Sequence, residues 1–193
     1  EGLLTGKTVY VALARGGSAG AAGSLGIATA ATLRLAGGSF TLADTVVTGN
    51  GTLEVAGAFE STTTVTHIGT SALAGQLLLT GGTLLANGNL TTVNYNQTAN
   101  TAVLSGTGAL DVTGAATWTR GQLIGTGTVN FRSGLTISGN ADFVLSGGRV
   151  VNLYGTSTWT GNTAANGGGF YTGPATLNNF GTFVDANLYS TIW

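Results

Sequence analysis

His67 is the only histidine in the 193-residue chain, in the stretch "TVTHIGT". An ordinary zinc site needs several Cys, His or carboxylate ligands converging on one point. The sequence holds no Cys and no second His, so His67 reads as a surface or strand histidine. A Ser-His-Asp arrangement would need a positioned serine and carboxylate, and no GxSxG elbow is present. The acids Asp44, Glu54, Glu60, Asp111, Asp142 and Asp185 are the next candidates, because two carboxyls about 5 to 10 Å apart can cleave a glycosidic bond. Nothing in their spacing requires such a pair. Calcium would need clustered carboxylates or a GGxGxD repeat. Phosphate would need a glycine-rich turn leading into a helix, and "GTGAL" and "GTGTV" read instead as strand turns. The expectation is a protein without catalytic residues, cofactor or metal.

Composition narrows the partners. Asp, Glu, Lys and Arg make up 7 % of residues, against about 25 % in an average soluble domain. Six basic residues and a net charge of −1 exclude the Lys/Arg cluster that nucleic acid requires. With 42 % hydrophobic residues the chain can bury a core, unlike the charged compositions of disordered segments. The absence of Cys removes disulfides and thiol chemistry. A thiol-free, charge-poor, Thr/Asn/Gly-rich chain suggests an extracellular or cell-surface location. No signal peptide is legible ahead of Glu1, and no apolar run reaches the roughly 20 residues of a membrane-spanning helix.

The elements that would position any site follow from a repeat. "LAGGSFTLAD" from Leu35, "LTGGTLLAN" from Leu79 and "LSGGRVVNLYG" from Leu145 are versions of one sentence. Weaker echoes start at Leu13, Val55, Leu104, Leu123 and Phe170, giving eight coils of roughly 22 residues. Inside each coil, runs such as "TLRLAG", "TLEVAG" and "ALDVTG" place apolar residues at i and i+2, the period of a strand. Gly and Asn-Gly pairs bound them, as turns with positive φ require. A sandwich has no reason to repeat residue types every 22 positions, whereas a solenoid stacks equivalent positions above one another. The spacing therefore predicts an all-β parallel β-helix over residues 32–193.

Offsets from the coil starts predict two ladders. Asn87, Asp111, Asn130, Asn152 and Asn178 share one turn position, with Asn130 and Asn152 about 4.8 Å apart along the axis. Trp118, Ile137, Trp159 and Val184 share a second, inward position and form a core stack. Residues 1–31 are rich in Ala and Gly and read as an edge or assembly segment, with a short capping helix over 21–31 as the alternative. The terminal stretches "KTVYVALA" and "NLYSTIW" are apolar and β-prone, and Pro174 is the only proline. Such edges invite pairing with another copy, through Val9 and Val11 at one end and Leu188, Tyr189, Ile192 and Trp193 at the other.

Coils of this length, Gly-bounded LxVxG strands and an Asx ladder resemble the right-handed parallel β-helix of bacterial surface proteins, including autotransporter passengers and filamentous-haemagglutinin-like adhesins. The resemblance spans residues 32–186 and is architectural; it implies secretion, an elongated shape and an adhesive or scaffolding role. The expected function is a secreted structural subunit of a fibre, sheath or adhesin that self-associates into a homopolymer. The alternative is a glycan-binding or polysaccharide-degrading β-helix, which would reveal itself by acidic, basic and aromatic side chains converging on one face; the offsets place no such set. Ice binding through Thr-x-Thr pairs is a minor reading, because the offsets of those pairs disagree from coil to coil. Three sequons, at Asn50, Asn89 and Asn96, would matter only in a glycosylating organism.

Overall fold

A computed structural model describes residues 2–4, 8–12, 18–59, 62–139, 141–160 and 170–187. The described elements are strands throughout, with no helix, and their pairings are parallel. They stack as a three-faced β-solenoid. The first face carries Thr32–Ala36, Thr52–Ala56, Ala116–Trp118, Thr136–Ser138 and Thr156–Thr160. The second carries Thr63–His67, Thr83–Ala86, Val103–Ser105, Gly121–Leu123 and Phe143–Leu145, and the third Ala109–Val112, Thr128–Phe131, Arg149–Leu153 and Ala175–Asn179. Long strands such as Thr70–Leu79 and Asn89–Gln97 bend from the third face onto the first.

Strand alternation builds the core directly. In Thr63–His67, Thr70–Leu79 and Arg149–Leu153 every second residue is buried, as a sheet with one wet face demands. On the first face one inner row runs Leu35, Val55, Leu79, Gln97, Trp118, Ile137 and Trp159. Leu35 and Trp159 are six turns and 124 residues apart, about 21 residues per turn. One further rung pairs at each end, Thr8–Ala12 on Thr32–Ala36 and Thr182–Asp185 on Thr156–Thr160.

The second face has its own inner row: Phe40, Val65, Leu84, Leu104, Leu123 and Leu145. The coil starts read from sequence therefore mix two faces. Leu35, Val55 and Leu79 belong to the first, Leu104, Leu123 and Leu145 to the second. The sentence LxGG marks a corner, and a three-faced rung has more than one. Residues 21–31 form no capping helix: Ser18–Ile27 is a strand paired along Gly38–Gly49, in the same sheet as the rest.

The corner between the second and third faces is built on a glycine column, Gly69, Gly88, Gly108 and Gly127. A Cβ on Gly108 would stand 2.0 Å from the carbonyl oxygen of Gly88, and one on Gly127 would stand 2.1 Å from that of Gly108. Contacts that short force the rungs apart. Gly108→Ala is expected to destabilise by about 1 to 3 kcal/mol, the usual cost of overpacking, measured as a lower urea midpoint. Ala substitution at Gly57, whose added Cβ meets nothing closer than 3.7 Å, is the tolerated comparison.

Candidate functional site

Alternation also decides which side chains face water. On the third face the outward positions of four successive rungs form rows, separated by buried Phe131 and Leu153 and, in the last rung, by their register partner Asn179. One row is Asp111, Asn130, Asn152 and Asn178. Asn152 Nδ2 donates to Asn130 Oδ1 at 2.8 Å, and Asn178 Nδ2 donates to Asn152 Oδ1 at 2.9 Å. Asn87 is not in this row. The rung partner of Asp111 is Thr91, and Asn87 sits in the neighbouring corner, where its Oδ1 accepts from Thr107 N at 3.2 Å. Asn87 follows the first-face Leu79 and Asp111 the second-face Leu104, so near-equal sequence offsets lead to different corners.

Two residues on, just past the end of each strand, lies a row that the sequence did not reveal: Arg132, Tyr154 and Phe180, whose backbone N–H groups continue the ladder to the rung before. The Arg132 guanidinium sits 4.8 Å from the Tyr154 ring centroid. Tyr154 and Phe180 stack with centroids 5.1 Å apart and planes at 19°. Arg132 Nε donates to Asp111 Oδ1 at 2.8 Å, tying the two rows together at one end. Phe180 is 63 % exposed at the other. An acid, a base, two aromatic rings and a line of amides thus share one face. No periodic residue type marks the second row, so only the strand register could have found it.

The core stack lies on the opposite side of the sheet. Trp118, Ile137 and Trp159 are successive rung partners and all buried. Phe143 projects between them from the second face, 5.0 Å from Trp118 at 79° and 6.3 Å from Trp159 at 85°. These edge-to-face contacts are the favoured aromatic geometry. Val184 is not part of the stack: it pairs with Thr158 and is exposed, and the residue opposite Trp159 is Asp185. Thr172, not Phe170, is equivalent to Leu145, and Phe170 stands opposite Phe143.

His67 is buried, with Nε2 2.9 Å from Ser71 Oγ. Ser71 Oγ also donates to Thr45 O at 3.2 Å and accepts from Val47 N at 2.9 Å. His67 Nδ1 is buried with no hydrogen-bond partner among the described residues, and burial lowers its pKa below the ordinary 6.5. This is a structural polar cluster; Ser71 lacks the carboxylate-oriented base of a nucleophile. Among the described residues no three His, Cys, Asp or Glu groups gather as metal ligands. Glu54 is occupied by Arg34 at 3.3 Å and by the Thr80 hydroxyl at 2.5 Å.

A second buried polar group surrounds Arg149, which the sequence reading left unremarked inside "LSGGRVV". Its Nε donates to Ile124 O at 2.8 Å and its Nη2 to Ile124 O and Leu104 O, so the guanidinium caps backbone carbonyls at a corner. Burial lowers its pKa to about 10, with nearby Tyr95 acting in the opposite direction. Tyr95 donates to Gln97 Oε1, and Gln97 Nε2 donates to Ala102 O at 2.9 Å.

The Thr-x-Thr pairs fall on different faces, Thr64 and Thr66 on the second, Thr128 on the third, and Thr117 and Thr158 on the first, where one short stretch is in register. Thr117, Thr136 and Thr158 are successive partners, and Ser138 pairs with Thr160 beside them. The row extends to Asn96 on one side and Val184 on the other, so the hydroxyl patch covers three rungs. Of the sequon residues, Asn50 and Asn89 are exposed, while Asn96 Oδ1 is buried. Val9 and Val11 pair opposite Leu33 and Leu35; Leu188, Tyr189, Ile192 and Trp193, like Glu60, lie outside the described residues. No helix among the described residues is long and apolar enough to cross a membrane. Comparison with protein-family models, curated proteins and solved structures found no match.

Proposed function

We propose that the chain is a secreted, non-catalytic structural rod, a subunit of a surface fibre, sheath or adhesin that associates through the ends of its solenoid. The observation that carries this reading is the last described rung. Leu177 occupies a core row, opposite buried Val151, yet is 37 % exposed, with no further rung over it among the described residues. Phe180 and Val184 are exposed beside it. Near the other end an apolar cavity of about 200 Å³ is lined by Leu25, Leu33, Leu35, Phe40 and Leu42, left open by the small Ala19 and Gly20. The outermost strands there hold Val9 and Val11 in the rows of Leu33 and Leu35.

Stacking one end on the other would continue the parallel ladder and bury these side chains, and a low charge density offers little repulsion. Such a contact is heterologous and propagates unless rotation closes a ring. Val9→Lys with Val11→Pro, or Leu177→Lys, is expected to abolish high-mass species in sedimentation velocity while leaving the far-ultraviolet spectrum unchanged. Assembly that survives all three substitutions would reject the end-on contact.

A further inference from the structure

From the outer rows of the third face we infer that one chain carries a binding site for a neutral polysaccharide, built by Asp111, Arg132, Asn152, Tyr154, Asn178 and Phe180. The site is built within a single chain; end-on stacking would cover Phe180, so binding is expected of the unassembled chain and of the free end of a rod. Sugars present two kinds of surface, hydroxyls around the ring and an apolar C–H face. Planar amides, carboxylates and guanidinium groups pair with the first, and aromatic rings with the second. The third face sets both kinds side by side, amides in one row and rings in the next.

The amide row retains hydrogen-bonding capacity. An Asn side chain has two N–H donors and two acceptor lone pairs. Asn152 uses one N–H on Asn130 and one lone pair for Asn178, leaving one of each for a ligand. Asn130 and Asn178 hold its plane fixed, so little side-chain entropy is lost on binding. Arg132 lies over the Tyr154 ring and Phe180 stacks on it, which fixes Tyr154 and leaves its edge to a ligand, while Phe180 keeps the open surface on which a sugar can stack. Rungs follow one another at about 4.8 Å, close to the advance of one pyranose unit in an extended chain, so a polysaccharide along the axis would meet the same pair of rows at each rung. Asp111 and Arg132 neutralise each other, which selects an uncharged polymer over a polyanion.

Biolayer interferometry with the immobilised chain tests this, using soluble mixed-linkage β-glucan and dextran as neutral polymers and polygalacturonate as the polyanion. Binding of at least one neutral polymer is expected. Arg132→Ala, Tyr154→Ala and Phe180→Ala should each weaken it by about tenfold, the effect of one lost good contact. Asp142→Ala and Thr136→Val, away from the two rows, should bind as the parent does. Phe180 is exposed enough that its removal leaves the fold intact, so its variant separates binding from stability. Failure of both neutral polymers to bind, binding of polygalacturonate alone, or undiminished binding by the Phe180 and Tyr154 variants would overturn the site.

Discussion

Trp159→Ala should lower stability by about 3 to 5 kcal/mol, the usual cost of deleting a large buried aromatic. The ring is 1 % exposed, continues the row of Trp118 and Ile137, and packs edge-on against Phe143. Its removal takes away one edge-to-face partner of Phe143 and opens a cavity that neighbouring strands, hydrogen-bonded on both edges, can close only in part. Because a solenoid rung contacts mainly its neighbours, the loss should appear first as earlier unfolding of the rungs after Phe143. Urea titration followed by amide exchange would show it. Val184→Ala, on the exposed side of the neighbouring strand, should stay within about 0.5 kcal/mol of the parent. Equal stability of the two variants would mean that Trp159 is not a core residue.

Acid should loosen the fold through His67. The native state holds this imidazole neutral, since burial lowers its pKa, while the unfolded chain restores a value near 6.5. Below about pH 6.5 the unfolded state therefore binds the additional proton. Stability is fully present above that value and falls as pH drops towards the native pKa, by at most about 1.4 kcal/mol per pH unit. No described carboxylate acts on the ring: its polar surroundings are Ser71, Thr45 and the Val47 amide. His67→Gln should flatten the profile between pH 6.5 and 5, because no other histidine titrates there. An identical pH profile for parent and variant would refute this assignment.

The strand period and the parallel stacking were legible because each rung repeats the same physical demand, alternate apolar residues between glycine corners. The assignment of residues to faces was not. Leu35 and Leu145 begin near-identical sentences, yet Gly37 and Gly38 turn the chain from the first face to the second, while Gly147 and Gly148 turn it from the second to the third. Offsets from such mixed starts put Asn87 in the amide row, while a last coil starting at Phe170, although Thr172 is the residue opposite Leu145, puts Val184 in the core. The Asn130–Asn152–Asn178 row was visible because one residue type recurs. Its neighbour was invisible because Arg132, Tyr154 and Phe180 share a position and no chemistry, and burial of His67 depends on a corner whose closure involves residues 26 positions apart.

End-on association of the rods is tested by sedimentation velocity across a hundredfold concentration range, with negative-stain images of the same samples. Species of rising mass and elongating filaments whose width matches one solenoid are the predicted result. A single monomeric boundary at every concentration, with isolated short rods in the images, would contradict it.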